Sequence, residues 1–549
     1  MKKFLIAAFA VLGFVACNDN NLDDVQNNGF TGEVETSYIA INLNAAENGT
    51  RADDGVYQDG LTAERVVKAA YFFFFDPEGN AFPVTGNPAT APDAAGVNWI
   101  SANLTGNGTE APNVSDIKDA VLVLNTYKGT YPAQVVAVLN WAPTTGTKYS
   151  ISDLYAATNI KGVENGFVMS NAVYANGTNA VVGTPITASD IYKSDTEALD
   201  NPITIHVERI AAKVTVTAKN GVENNRYFVK TANISGVDTD VYVQVTGWEL
   251  YNDFAKSKLL KDINPAWDPA VLGFTWNDSP FYRCYWANSL AIGDIGTNAF
   301  PEAFDLKLGS AANVTAGTYA DDTYTYVGEN TNYDAATDNA ANCTKVIIKA
   351  KLQKKVSEGV YENLPMTRWY TTYYASLTDL LTAVANTIKY QYYWLDGTDY
   401  KYITPGDLAV VKEGNMVKFA LSTESESKNW YVNGAGSYVS KTITEINESL
   451  ANIEKAVYYD ASETLYSVDI AHLAYANPGV QAGDYGVVRN HIYNVVLNSF
   501  SGFGSPVYVP GSGSGFDYPD DPSTTGEYVS AEVRILSWRL VSQEVDVQP

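Results

Sequence analysis

The chain is short of the residues on which most catalytic and metal sites depend. Its 549 residues include three His, three Cys and four Met. His206, His472 and His491 lie far apart in the sequence, each in or beside a strand pattern. No HExxH helix, CxxC pair or His–carboxylate cluster at metal-ligand spacing is present. There is no GxSxG elbow and no Walker loop, and "GSGSG" at 511–515 reads as linker because no helix follows it. "RADDG" and "YPDDP" bring carboxylates together without the spacing of a Ca²⁺ loop. The chain has 62 acidic residues, but nothing singles out two of them as a glycosidase pair. The expectation is a non-enzyme with no catalytic residue, no metal and no cofactor. Basic residues are also scarce. There are 36 Lys and Arg against 62 Asp and Glu, a net charge of −26, which argues against nucleic acid as a partner. Past residue 17 no run of about 18 apolar residues occurs, so no spanning helix is expected and the rest of the chain reads as soluble.

Hydrophobic residues make up 46 % of the chain, with 38 Tyr and 41 Gly, a balance that favours strands and turns around real cores. The length exceeds one ordinary core and predicts two domains or more. The N-terminus, "MKKFLIAAFAVLGFVAC", has two Lys, a short apolar run and a small residue before Cys17. This resembles a bacterial lipoprotein signal, with Phe14 where Leu is commonest and Cys17 as the lipidated residue. Residues 18–34 are a polar tether.

Strands are predicted where apolar residues alternate. They include 37–44, 65–75 (ending in four Phe and buried on both faces), 120–125, 134–141 and 166–171. The run 203–219 shifts phase across Ile210, Ala211 and Ala212, which suggests a bulge or bend, and "NGVENN" then marks a junction near 220. Strand patterns return at 241–251, 344–352, 389–403 (a hairpin at Asp396-Gly397), 416–421 and 487–500. Two helices are expected. One spans 376–388 with a capping box from Ser376 to Asp379, and the other spans 442–457. Cys284 and Cys343 are either a disulfide, closing a loop worth roughly 4 kcal/mol, or two buried thiols that never meet.

Two features at the ends of the chain match. Arg51 is the only basic residue between Lys3 and Arg65, and it stands in the turn-rich loop "AENGTRADDG" directly after strand 37–44. Such a loop is open to proteolysis, and the lone Arg makes an Arg-specific cut single-valued. The cut would release the first strand and leave an edge for another chain to fill. At the other end, the linker 508–527 precedes a strand-like tail, 528–549. In it Val529, Ala531, Val533 and Ile535 share a face. The phase flips at Leu536, continues through Trp538 and Leu540, and flips back before Val545 and Val547. Val533, Ile535, Trp538, Leu540, Val545 and Val547 are the expected anchors of a strand donated to a neighbour.

"TRADDG", "VERIAAKVTV", "VVRNHIYNVVLNSF" and "SAEVRILSWRLVSQEVDV", in that order, resemble the fimbrillins of Bacteroidales type V pili, nearest the shaft subunits of the short fimbriae of Porphyromonas. The resemblance implies an all-β fold with minor helices: two transthyretin-like β-sandwich domains plus a C-terminal donor strand. It divides the chain into a signal (1–17), a propeptide with a removable strand (18–51), an N-terminal domain (52–219), a C-terminal domain (220–507), a linker (508–527) and a donor tail (528–549). It implies acylation at Cys17, cleavage between Arg51 and Ala52 by an Arg-specific protease, and polymerisation by strand exchange. The implied partners are other copies of the chain and tip and anchor subunits. The implied location is the outer membrane for the lipid-anchored precursor, then an extracellular fimbria that supports adhesion. The alternative is a surface glycan-binding lipoprotein of β-sandwich fold, which gives no reason for Arg51 or a detachable tail.

Overall fold

The computed structural model describes residues 34–44, 61–64, 66–84, 96–101, 105–106, 118–127, 129–163, 166–172, 174–176, 179–219, 222–264, 287–295, 308, 323–413, 416–434, 436–472, 483–506 and 529–537. The fold is all-β with minor helices. The first unit contains β1 (Val34–Asn44), β2 (Ala70–Phe75), β3 (Lys118–Tyr127), β4 (Gln134–Leu139), β5 (Met169–Asn171) and β6 (Ile203–Arg209), paired in the order β2–β4–β5–β6–β1–β3. β6 joins the two layers: Ile203–His206 runs parallel to β1, and Val207–Arg209 runs antiparallel to β5. One core lies between the layers, and Phe72, Phe73, Phe74 and Phe75 expose no surface in it. β2 begins at Ala70, later than the sequence predicts, because the Asn140 side chain serves the preceding backbone. It accepts from Lys68 N at 2.6 Å and donates to Val66 O at 2.8 Å.

The run 203–219 is a change of sheet, not a bulge. After Ile210 the chain enters β7 (Ala211–Ala218), which has a different set of neighbours, so the passage between units falls at Ile210 and not near 220. β8 (Arg226–Ile234) and β9 (Val237–Tyr251) follow as a hairpin whose turn residues, Ser235 and Gly236, both have positive φ, as tight hairpin turns require. β10 (Tyr324–Gly328) pairs with β7, and β11 (Lys345–Ser357) pairs with β9.

An insert with its own core follows. It holds α1 (Leu377–Ile388), β12 (Tyr392–Asp396), β13 (Asp399–Tyr402), β14 (Met416–Leu421), β15 (Trp430–Gly434), β16 (Ser437–Lys441), α2 (Ile443–Ala451) and β17 (Ala456–Tyr459). Both helices bury an apolar face (Leu380 and Val384, Ile446 and Leu450) around Phe419 and Trp430. Ser376 caps α1 by accepting from Asp379 N at 3.1 Å, but the Asp379 carboxylate takes the Ser235 hydroxyl at 2.9 Å and the expected box is not closed. Thr442 and Glu445 form a complete box on α2. The helix expected over 442–457 stops at Ala451. Ala456–Tyr459 is a strand because it finds ladder partners in Met416–Val417 and Met366–Arg368.

One carboxylate ties the insert together. Burial pushes the Asp407 carboxyl up, but donors from Lys428, Thr404 (2.7 Å) and Ser425 (2.7 Å) outweigh it and hold it below the usual carboxylate range. A depressed acid contributes stability that is present above the usual range and lost as pH falls through the folded value. Melting curves from neutral to acid pH should therefore fall more steeply for the native chain than for Asp407→Asn. Parallel curves would remove Asp407 from the acid response.

The chain returns to the second unit with β18 (Glu463–Asp469), β19 (His491–Phe500) and β20 (Val529–Ser537). β10–β7–β19–β20 form one layer, and β8–β9–β11–β18 lie in the other. Val214, Val216, Trp248, Ile348 and Val495 fill the space between them.

Candidate functional site

β1 is an internal strand. On one side it pairs with β3 from Val34↔Tyr127 to Leu43↔Lys118. On the other it pairs with β6 through Ile41–Asn44 and with Tyr192 through Tyr38, by two bonds of 2.8 Å. Ile39 and Ile41 expose nothing and belong to the first core. At about 1.5–3 kcal/mol for each side chain, these two anchors supply much of its hold. Both strand edges that β1 covers would be open without it, and open edges demand a partner. Cys17, Arg51 and Ala52 lie outside the described residues.

β20 is placed differently. Among the described residues its strand partner is β19, in antiparallel register from His491↔Ser537 to Phe500↔Val529, with a bulge at Leu497/Ser499. Val533 stands opposite Val495 and Ile535 opposite Tyr493. Trp538, Leu540, Val545 and Val547 lie outside the described residues.

Between the two units lies a buried charged cluster that sequence reasoning missed. Arg489 donates to Glu329 Oε2 from Nε (3.0 Å) and Nη2 (2.8 Å), and from Nη2 to Lys258 O (2.9 Å). Lys261 Nζ lies 3.0 Å from Glu208 Oε1, and Lys213 Nζ lies 2.8 Å from Glu64 Oε1. Arg209 donates to Glu64 O at 2.8 Å and to Asn490 Oδ1 at 3.3 Å. Burial pushes Glu208 up. Burial also pushes Glu329 up, but the charges of Arg489 and Lys261 outweigh this and hold it low. The cluster joins two of the sequence motifs: "VERIAAKVTV" supplies Glu208, Arg209 and Lys213, "VVRNHIYNVVLNSF" supplies Arg489 and Asn490, and β7 runs parallel to β19. The signal was charge inside an apolar run: Glu208-Arg209 in the first and Arg489 in the second. A second weld, Lys256–Lys258 on Ala157–Asn159, fixes the units side by side.

Cys343 is a free, buried thiol whose Sγ lies 3.7 Å from Tyr485 O, and burial raises it to about 12. Cys284 lies outside the described residues. His472 and His491, distant in sequence, have ring centroids 5.4 Å apart. Their Nδ1 atoms are 2.8 Å from Tyr493 OH and Arg489 O. Burial holds the His472 ring well below its ordinary value, with nearby His491 and Lys261 acting in the same direction. Among the described residues no group of three His, Cys, Asp or Glu is placed to hold a metal, and no helix is long and apolar enough to cross a membrane.

Residues 457–544 match the family model described as the C-terminal region of fimbrillin, the major fimbrial subunit protein type IV. No curated protein matches the chain. Among solved structures, the chain is similar to a protein assigned to cell adhesion from Parabacteroides distasonis. That pair has 11 % identity, covers 92 % of this chain and 98 % of that one, and has a TM-score of 0.40. It is also similar to a fimbrilin from Porphyromonas gingivalis (13 %, 92 % and 99 %, 0.33) and to the tip fimbrial protein of Porphyromonas gingivalis with C-terminal truncation (11 %, 91 % and 100 %, 0.28).

Proposed function

We propose that this chain, a fimbrillin by its C-terminal region, is the shaft subunit of a cell-surface fimbria and polymerises by exchanging strands. The observation that carries the reading is the position of β1. It is an internal strand with two Ile anchors, and the lone Arg51 lies a few residues beyond its end. Cleavage between Arg51 and Ala52 cuts the covalent tie of β1 and breaks none of the described elements. Departure of β1 leaves open edges on β3 and β6 and an empty place in the core. Only a strand with the same alternation fills it. In β1 the alternating set is Ser37, Ile39, Ile41 and Leu43. In the tail it is Val529, Ala531, Val533 and Ile535, on a strand of similar length. Cys17 holds the precursor to the outer membrane until the cut, and maturation passes the subunit to the extracellular fimbria. Tip and anchor subunits complete the fibre.

The test is Arg51→Ala. The precursor should fold, because β1 still completes its own sheet, and should stay lipid-anchored and monomeric. Mass spectrometry of native fibres should give subunits starting at Ala52. Fibres of normal length from the variant, or native subunits that retain residues 18–51, would overturn the reading.

A further inference from the structure

The outer face of the insert's small sheet carries a row of tyrosines packed on one another, with Tyr393 buried in the middle and outer rings exposed. β13–β12–β15–β16 form a four-stranded sheet. Its inner face gives Tyr392, Trp394, Trp430 and Val432 to the insert core. Register places Tyr393, Tyr402 and Tyr431 opposite one another on the other face, where Tyr400 and Tyr438 join them. The ring centroids run in sequence: Tyr431–Tyr400 5.1 Å, Tyr400–Tyr438 3.8 Å (stacked), Tyr438–Tyr393 4.8 Å, Tyr393–Tyr402 5.2 Å and Tyr402–Tyr390 5.3 Å. Tyr390 is 64 % exposed, Tyr438 45 % and Tyr402 42 %.

One cation sits at the end of this row. Lys389 Nζ lies 5.6 Å and 5.2 Å from the Tyr390 and Tyr402 ring centroids and has no carboxylate partner among the described residues. The other lysines beside the sheet are paired: Lys401 with Asp399 (3.6 Å), Lys441 with Glu445 (2.8 Å) and Lys428 with Asp407. Lys389 is therefore the cation left for an incoming anion. At physiological salt the screening length is about 8 Å, so an anion at the row of rings senses Lys389 more than the distant acids.

We propose that this face binds an acidic oligosaccharide, with pyranose rings lying on the tyrosines and a carboxylate or sulfate on Lys389. Aromatic faces with hydroxyl tips suit a ligand that is apolar on one side and polar at its rim. The area argues against a second copy of the chain. Four strands of four or five residues, at about 3.3 Å per residue and about 4.8 Å between strands, give a face of about 300 Å². A stable protein partner buries about 800 Å² on each side. The inference does not depend on polymerisation.

The full-length chain, kept monomeric, is titrated by calorimetry with sialyllactose, a chondroitin-sulfate disaccharide and neutral lactose. Sialyllactose, the disaccharide or both should bind more tightly than lactose. Tyr438→Ala and Tyr402→Ala should each weaken that binding by about tenfold. Lys389→Gln, which leaves every ring in place, should reduce the acidic sugars to the level of lactose. Absence of binding by both acidic sugars, equal affinity for lactose, or unchanged affinity in correctly folded variants would overturn the proposal. So would concentration-dependent self-association of the native chain that Tyr438→Ala abolishes, because it would assign the face to a second copy.

Discussion

Deleting residues 528–549 should abolish fibre growth while leaving a folded monomer with near-native circular dichroism. Among the described residues β20 is bonded to β19 alone, and β19 keeps its other neighbour, β7, after the deletion. The core of the second unit is filled by β7, β9, β11 and β19, none of which is removed. The truncated subunit keeps the Arg51 site, so after the cut β1 can leave and the subunit should accept a strand but have none to give. Mixed with mature full-length subunits, it should shorten fibres in proportion to its share, as measured by electron microscopy and sedimentation. Outright unfolding, or fibres of normal length, would make the tail an ordinary core strand and end the exchange reading.

Arg489→Met should cost about 3–5 kcal/mol, the usual consequence of removing one partner from a buried ion pair. Glu329, fully buried, would lose both of its guanidinium bonds and would be left with Lys261 as its counter-charge. Its carboxyl should then rise. A raised acid binds its proton more readily folded than unfolded, so the loss should shrink as pH falls toward the usual carboxylate range. Arg489→Met combined with Glu329→Leu should recover much of the loss, since apolar replacement of a whole buried pair is often neutral. Urea unfolding at several pH values checks both expectations. A loss below 1 kcal/mol, or one independent of pH, would show that the cluster is not what holds the units together. In the proposed fibre, tension would pass through each subunit across this junction.

The sequence by itself determined where several strands lie, β1, β2 and β4 among them, and which residues of β1 face the core. Ile39 and Ile41 alternate with polar neighbours, four Phe have no polar partner between them, and the caps at Ser376 and Thr442 stand where the helices begin. These are local facts, readable from a period of two or from one turn of helix. It also isolated Arg51 and the alternating tail, because scarcity and pattern are properties of the chain alone. Only the tertiary structure decided the partners. A period of two gives a strand two faces but says nothing of what lies on its edges. The internal position of β1, the pairing of β20 with β19 and the change of sheet at Ile210 were therefore invisible. Ala456–Tyr459 left the helical pattern because ladder bonds to strands about 40 and 90 residues earlier satisfied its backbone better than helix continuation did. The charged cluster was hidden for the same reason. Glu208 and Arg489 read separately as misplaced charges in apolar runs, and only the parallel pairing of β7 with β19 gathers their surroundings into one buried cluster of paired charges.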